Sequence, residues 1–409
     1  MWAPARFRLV GVAGLVFAAA ASAQEAAAAR PWNEVETSWA TARLGFAAME
    51  DGAFYAQDAA SKQQVGDLSA QSLFRVDDLS LTGRIRLSRP WTYQVAGNYR
   101  GLDPTASRDW TFTYWNLTIP LGDLANVTVG KQKEGIGLEM FANGRDLTFM
   151  ERPTMSTAFA FIDSHIAGVR FWSSFASGRM TWTAGWFNDW LDDDLSFSES
   201  GQVFAGRVTG LPIAGDGGRR LLHLGASAAY REAPGGSVQV KTVPEVYEAP
   251  DFVDTGAIPA SHGSSFGAEL AVVEGPVSVS AEYTVTWVDA PQAGDPTLSG
   301  YYVTASWLLT GETRPYDHAS GVFGGIPPAA PFSFKHGGPG AWELAARYSF
   351  IDLTSGAVDG GRFDRWSGAL SWFPTRQWRF EFNYGYGRLR RAGLDGSTHF
   401  YQLRLQFQL

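Results

Sequence analysis

The sequence predicts an all-β fold, namely a 16-stranded antiparallel transmembrane β-barrel. Three observations support this prediction. Apolar and polar side chains alternate over segments of about ten residues, as in strands with one face in lipid and one in water. Clusters of Gly, Pro, Asp and Ser separate the segments, and the chain contains 46 glycines. Aromatic residues gather at segment ends, where the girdles of a membrane barrel lie, at Trp91, Tyr99, Trp287, Trp342, Trp378 and Tyr401.

The N-terminus is typical of a secretory signal peptide. Arg6 and Arg8 precede the apolar run GVAGLVFAAA, which ends in the small-residue sequence ASA before Gln24. Such a run is too short to span a bilayer as a helix. We therefore expect residues 1–23 to be an export signal and residues 24–409 to form a single barrel domain in the cell envelope.

Sixteen alternating segments follow residue 37, an even number as single-chain bacterial barrels require. No segment has a sustained helical period, and no domain linker is evident. We predict strands over residues 38–48, 73–87, 91–100, 110–119, 126–133, 166–175, 179–188, 202–211, 221–231, 265–274, 277–288, 300–310, 341–351, 364–373, 377–388 and 399–409.

The parity of each strand predicts which side chains face lipid. The alternative is a secreted β-protein with a dry core, which needs two sheets or a small closed barrel. Sixteen strands enclose a barrel too wide for side chains to fill, so the polar parity would face water. We expect Trp378, Phe382 and Tyr386 to face lipid, and Arg379 and Asn383 to face a lumen.

The inward parity carries more arginines than acids, although the whole chain has a formal charge of −8. Fixed positive charge along a narrow wet path favours anions, and the guanidinium fork pairs with phosphate oxygens. The alternative is that these arginines pair with acids and only brace the wall. The predicted inward residues are Arg43, Arg84, Arg86, Arg100, Arg170, Arg207, Arg231, Arg347, Arg379 and Arg404, against Glu269, Glu282, Glu343 and Glu381.

Several stretches resemble the phosphate-selective porin O and P family of Gram-negative outer membranes. They are GKQKEGIGLE (130–139), TFMER (148–152), SGYYVTASWLLTGETRPY (299–316), GAWELAARYSFIDL (340–353) and, more weakly, residues 73–99. The resemblance implies a homotrimeric porin in which three segments fold into each pore. These would be the third loop (134–165), the fifth loop (232–264) and a periplasmic connection (311–340).

The resemblance also implies an anion site, of which this chain keeps part. Arg43, Arg75, Arg152 and Asn143 occupy family positions that bind the anion, whereas Val76 and Met140 replace cations, Gly144 replaces a serine and Thr113 an aspartate. A looser site is therefore expected, in which Arg145 and Arg314 serve as substitutes. The predicted anion-binding and pore-lining set is Arg43, Arg75, Arg84, Arg86, Asn143, Arg145, Arg152, Arg347 and Arg379.

The preferred hypothesis is a passive channel for inorganic phosphate or other small anions. The alternatives are a general porin without phosphate specificity, a barrel lipase built on Ser265 and His223, and a plugged adhesin or structural barrel. The GSSFG sequence (263–267) continues as a strand, whereas a nucleophile elbow needs a helix there. We expect lipid and lipopolysaccharide as neighbours, and no nucleic-acid partner because the chain is acidic.

We expect neither a cofactor nor a metal. The six histidines lack metal-ligand spacing, and the acidic run LDDDL (191–195) is expected to be a solvated loop rather than a Ca²⁺ site. The sequence GxxxxGK[ST] is also missing, which argues against ATP-driven transport.

Overall fold

The computed structural model describes residues 31–99, 110–160, 165–188, 200–335 and 337–409. Sixteen strands, β1–β16, form one antiparallel sheet in which each strand pairs with the next and β16 pairs with β1, so that the barrel closes. The predicted signal peptide (1–23), Arg100 and the LDDDL run lie outside the described residues.

The strands begin and end as follows. They are β1 Ala40–Gln57, β2 Gln71–Ile85, β3 Trp91–Tyr99, β4 Trp110–Leu121, β5 Ala125–Gln132, β6 Ile166–Phe175, β7 Met180–Asn188, β8 Gln202–Gly215, β9 Arg220–Glu232, β10 His262–Glu274, β11 Val277–Asp289, β12 Thr297–Leu308, β13 Ala341–Ser355, β14 Val358–Phe373, β15 Trp378–Arg391 and β16 Leu394–Gln408.

The prediction of sixteen strands is confirmed, and each predicted segment overlaps one strand. The largest difference is in β1, which was predicted to end at residue 48 but continues to Gln57. Glu50 and Asp51 interrupt the apolar pattern there. Backbone pairing continues nevertheless, because Ala47–Gln57 pairs residue by residue with Thr398–Gln408 of β16.

The connections differ between the two ends of the barrel. The turn end has mostly short connections (86–90, 122–124, 176–179, 216–219, 275–276 and 374–377) and one long one, residues 309–340, here named the turn-end connection. The loop end includes loop 3 (133–165) and loop 5 (233–261). Its β15–β16 hairpin has positive φ at both central residues, Ala392 (51°) and Gly393 (76°), as a type I′ turn requires.

Short elements decorate these connections. Three helices occur in the described chain: α1 Ala59–Val65, α2 Leu138–Phe141 and α3 Thr154–Ala158, together with the 3₁₀ turns Gly144–Asp146, Asp216–Gly218 and Pro291–Ala293. Short strand pairs join Ser237–Val238 to Ile258–Pro259, Lys241–Thr242 to Val253–Asp254, and Tyr316–Asp317 to Val322–Phe323, while Glu34–Glu36 pairs with β1. None of the described helices has the length and apolarity to cross a membrane.

The two faces of the wall differ as the alternation predicts. On β15, Phe382 and Tyr384 are 43% and 37% exposed on the outer face, whereas Arg379 and Asn383 are buried inside. Trp378 and Tyr386 share the outer face and are half-buried against neighbouring rings. The ring centroids of Trp378 and Phe407 lie 4.8 Å apart, and those of Tyr386 and His399 lie 5.0 Å apart.

Not all of the interior is polar, so the expectation that the inward parity faces water does not hold everywhere. Near the loop end, Phe363 of β14 and Phe400 of β16 point inward and contact Phe252 of loop 5, with ring centroids 5.3 Å and 5.7 Å apart. Val246 and Phe159 belong to the same buried cluster. The apolar cluster forms because loop 5 and loop 3 enter the barrel and give these side chains something to pack against.

Candidate functional site

Loop 3 is held inside the barrel by arginines of the wall. Arg379 of β15 donates to the carbonyl oxygens of Leu147 and Thr148 at 2.7 Å and 2.9 Å. Arg404 of β16 donates to the Met150 carbonyl at 2.6 Å. Arg347 of β13 donates to the Glu151 carbonyl at 3.0 Å. Because these donors are charged and buried, the hydrogen bonds fix the backbone of loop 3 firmly against the wall.

Loop 5 enters the same space and presents a buried carboxylate. Glu245 forms an ion pair with Arg347 and accepts hydrogen bonds from the Ser349 hydroxyl and, at 3.1 Å, from the backbone N–H of Thr154 in loop 3. Arg365 of β14 donates to the Glu245 carbonyl at 3.2 Å. Loops 3 and 5 are therefore fastened both to the wall and to each other.

The turn-end connection also folds inward. Arg207 of β8 donates to the carbonyl oxygens of Ser320 and Gly321, both at 2.8 Å, while it pairs with Glu269 of β10 at 2.7 Å. The Tyr316 hydroxyl lies 2.7 Å from Nδ1 of His223. All three segments that were expected to fold inward thus lie in the lumen and pack against β8–β16, here named the filled half.

An open cavity of about 790 Å³ remains on the other side of the lumen. It is bounded by the inner faces of β1–β6, here named the open half, and by parts of loops 3 and 5 and the turn-end connection. Seven lysines and arginines line it, against five acids, which gives the lining a positive formal balance. They are Arg43, Arg75, Lys131, Lys133, Arg145, Arg152 and Arg170, and Asp77, Asp78, Asp146, Glu151 and Asp317.

The cavity brings together five of the nine predicted site residues. Arg43, Arg75, Asn143, Arg145 and Arg152 line it. This grouping combines residues of β1, β2 and loop 3, which lie far apart in the sequence.

The other four predicted residues lie elsewhere, which corrects their assignment to the pore lining. Arg347 and Arg379 are buried in the filled half and bonded to loop carbonyls. Arg84 is exposed near the turn end, and Arg86 lies beyond the end of β2 in an ion pair with Glu36. Arg84 and Arg86 miss the cavity because they lie at the rim of the barrel rather than beside loop 3.

Several cavity cations already have partners. Arg75 pairs with Asp51 at 3.4 Å and Glu151 at 3.1 Å. Arg145 pairs with Asp78 at 2.5 Å, and although burial lowers the pKa of Arg145, this carboxylate raises it above the usual value. Their charges are therefore largely compensated within the protein.

Arg152 is compensated differently, because no carboxylate of the described chain forms an ion pair with it. Its guanidinium donates to the carbonyl oxygens of Glu139 and Ala142, at 3.0 Å and 2.8 Å. Asn143, beside it, is exposed and reaches Asp146 only at 3.5 Å. Both residues thus keep polar atoms close to the cavity.

The site analysis from sequence missed Lys131 and Lys133. Strict alternation after Val127 and Val129 places Lys131 on the outer face, but Gly130 has a φ of 118° and interrupts the strand, so Lys131 lines the cavity instead. A Cβ atom at residue 130 would lie 2.2 Å from the Trp115 carbonyl oxygen, which only glycine avoids. The GKQKEG sequence was the available signal.

Lys133 and His165 are two further basic groups in this corner, and burial disfavours the charged form of both. The Lys133 amine donates to the carbonyl of Ala142 at 2.6 Å, and burial, followed by repulsion from Arg152, lowers its pKa well below the usual value. Burial and repulsion from Lys133 likewise lower the pKa of His165, whose ring packs edge-on against Tyr114 at 4.5 Å. Both shifts favour the uncharged forms of Lys133 and His165, because the two groups are buried beside other basic groups.

The residues considered for other chemistry have structural partners. The Ser265 hydroxyl lies 3.0 Å from that of Thr286, and His223 is bonded to Tyr316 and Glu269, so the two do not form a nucleophile–base pair. Within the described residues there is no group of three or more potential metal ligands.

The architecture is that of an outer-membrane porin: a closed barrel of sixteen strands, narrowed by segments that fold into it. Among solved structures, the anion-selective porin from Comamonas acidovorans superimposes with a TM-score of 0.57 and 13% identity, over 90% of this chain and 100% of that one. OmpT of Vibrio cholerae gives a TM-score of 0.57 with 11% identity, over 92% and 99%. These similarities show the fold.

The sequence then identifies the family within that class. The chain matches phosphate-selective porin O and P over residues 51–409 and belongs to this family. It is 30% identical over 269 residues to an uncharacterized protein of Caulobacter vibrioides, and 25% identical over 287 residues to porin O of Pseudomonas aeruginosa. The alignments cover 63% and 65% of this chain, and 53% and 63% of the two relatives. The family match and the closed sixteen-stranded barrel together place the chain among the porins.

Proposed function

We propose that the protein is a passive channel for phosphate or other small anions, which pass along the open half of the barrel. The observation that supports this proposal most is the cavity of about 790 Å³, which is lined by seven lysines and arginines and five acids. Arginines of the filled half contribute little to this path, since they are committed to loop carbonyls and buried acids.

The physical basis of selectivity is fixed charge beside a narrow wet path. Cations at the wall lower the energy of an anion that has lost part of its hydration shell, and arginine presents several donors to an oxyanion at once. The family name and the relative named porin O support phosphate as the solute. Val76 and Met140 carry no charge, and Arg75 is paired with two acids, so we expect weak phosphate binding.

A general porin is the second candidate, and the acids of the cavity favour it. Asp77, Asp78, Asp146, Glu151 and Asp317 share the lining with the cations and reduce its positive potential. In that case anions would still be preferred, but phosphate would not compete with chloride.

Planar-bilayer recordings test the proposal. The reversal potential of the purified protein is measured across a KCl gradient, and phosphate is then titrated against the chloride current. We expect an anionic reversal potential and partial block by phosphate. Anion preference without block would favour the general porin, and cation preference or a closed channel would contradict both.

We further propose that residues 1–23 direct export, that the loop end faces lipopolysaccharide and the turn end the periplasm, and that the channel is a homotrimer. Chemical cross-linking of the detergent-solubilised protein tests the last point. We expect cross-linked bands of one, two and three subunits on a denaturing gel and none larger. A single band of one subunit would contradict the homotrimer.

A further inference from the structure

Arg170 of β6 is half-buried, borders the cavity and differs from the buried arginines of the wall. Its guanidinium carbon lies 5.1 Å from the ring centre of Phe141 in loop 3. Its Nη1 atom lies against Gly135, only 3.0 Å from where a Cβ atom of that residue would be. Nε and Nη1 are shielded from solvent and have no hydrogen-bond partner. Arg170 is therefore packed beneath loop 3 without a polar contact to it.

No carboxylate in the described chain forms an ion pair with Arg170. By contrast, Arg207 pairs with Glu269 at 2.7 Å, and Arg404 pairs with Asp51 at 2.6 Å. Arg43 is also unpaired within the described residues, but it is exposed, so water solvates its charge. Two shielded guanidinium nitrogens that lack both hydrogen-bond partners and a counter-ion are energetically unfavourable.

The surroundings of Arg170 increase this imbalance. Tyr114 and His165 line the same part of the cavity, and their rings touch. Lys133 and Arg152 lie within electrostatic range of His165, and their repulsion, after burial, disfavours the protonated form of its ring. Repulsion among basic groups is relieved if an anion enters. The corner thus has the charge pattern of a site that takes up a negative ligand.

We propose that a small oxyanion binds in this corner with Arg170 as its principal contact, and that Arg170 rather than Arg43 or Arg75 sets the anion preference of the channel. Arg152 and Tyr114 line the same cavity and are further donors, which suits a ligand with several acceptor oxygens better than a halide. The inference rests on the proposed passage of anions and names the residue that selects them.

The same geometry predicts an effect on stability. Arg170 belongs to the wall, while Phe141 and Gly135 belong to loop 3, so an anion bound there adds a contact where loop and wall meet. A ligand that binds only the folded protein stabilises it in proportion to RT ln(1 + [L]/Kd). Phosphate should therefore raise the unfolding temperature of the detergent-solubilised protein at constant ionic strength.

Three variants test the assignment: Arg170→Gln removes the charge, Arg170→Lys keeps it without the planar fork, and Arg86→Gln removes a charge outside the cavity. For each folded variant, the reversal potential in a KCl gradient and the phosphate concentration that halves the chloride current are measured. We expect Arg170→Gln to raise the half-blocking phosphate concentration about tenfold or more, a loss of about 1.4 kcal/mol or more in binding free energy. The same variant should also show a weaker anion preference. Arg170→Lys should keep most of the anion preference, and Arg86→Gln should match the wild type.

The outcomes separate the two proposals. If the wild type prefers anions and binds phosphate but Arg170→Gln does so equally well, the role of Arg170 is wrong while the anion channel stands. If the wild type shows no anion preference, both are wrong. Should Arg170→Gln not fold, the wild-type melting curve decides: phosphate that fails to raise the unfolding temperature above that in chloride overturns the assignment.

Discussion

Arginine has opposite roles in the two halves of the lumen. In the filled half, Arg347, Arg379 and Arg404 are buried, and each donates to a backbone carbonyl of loop 3. In the open half, Arg43 has no partner in the described chain and Arg170 has only an aromatic ring. Inward arginines are thus structural clamps in the filled half, whereas Arg43 and Arg170 of the open half have no counter-ion in the described chain. The role depends on whether the guanidinium reaches a loop carbonyl or a carboxylate.

The largest expected effect comes from removing the acid at the centre of the filled half. Glu245→Ala leaves Arg347 buried without its counter-ion and removes the acceptor for Ser349 and Thr154. Breaking a buried pair from one side costs about 3–5 kcal/mol. We expect a lower unfolding temperature and, because loop 5 is released, a higher single-channel conductance.

The control for Glu245→Ala is Asp67→Asn, which breaks an exposed pair with Lys62, 2.8 Å long, at the loop end. Exposed pairs contribute about 0–1 kcal/mol, so this variant should resemble the wild type. Equal stability and conductance in the two variants would show that loop 5 does not depend on Glu245.

A second effect should appear at the turn-end connection. Arg207→Gln removes the donors to Ser320 and Gly321 and leaves Glu269 without its arginine. We expect the connection to detach more often from the wall, so that chymotrypsin cleaves faster at Tyr316 and Phe323. Arg220→Gln, which breaks only an exposed 3.5 Å pair with Glu274, is the matched variant and should be cleaved at the wild-type rate. Equal cleavage of both would contradict the clamp.

A smaller effect is expected from pH, through Glu248 of loop 5. Burial, followed by repulsion from Asp51, raises the pKa of Glu248 from 4.5 to about 7. Its charge therefore appears as pH rises through about 7, close to Arg75 of the cavity. We expect the reversal potential to indicate stronger anion preference at pH 6 than at pH 8, and Glu248→Gln to reduce that difference.

The same shift has a consequence for stability. Between pH 4.5 and about 7 the folded carboxyl of Glu248 holds its proton while the unfolded one has lost it, so the free energy of unfolding falls as pH rises through this window. Melting curves of the wild type and Glu248→Gln measure this difference. Parallel pH profiles for the two proteins would show that Glu248 does not titrate in this window.

The smallest effect is expected at the rim. Arg86→Ala removes an ion pair with Glu36 in which the arginine side chain is 44% exposed, outside both halves of the lumen. The loss should be at most about 1 kcal/mol, and the reversal potential should not change. A clear shift in reversal potential would mean that the rim, rather than the cavity, sets selectivity.

Much of the wall could be predicted from sequence because alternation has a strict period. It located all sixteen strands, and the resemblance to the porin O and P family located three in-folded segments and four of the cavity residues, with Arg145 added as a substitute. Alternation gives only the direction of a side chain, so it could not separate Arg347, which a loop covers, from Arg43, which water reaches. It also failed at Lys131, where one residue, Gly130, reverses the parity.

Thiol labelling compares the two halves in one experiment, since the chain has no cysteine. Ser80→Cys places a thiol at the cavity, and Ser306→Cys places one on the inner face of the filled half. Each serine hydroxyl contacts one neighbouring polar side chain, Ser80 at 3.2 Å and Ser306 at 2.9 Å, so the two substitutions are matched.

For the measurement, a negatively charged methanethiosulfonate reagent is added while the current through each variant is recorded. We predict that it reduces the current through Ser80→Cys channels and leaves Ser306→Cys channels unchanged. Block of Ser306→Cys with no effect on Ser80→Cys would place the conducting path in the other half and contradict the proposed route.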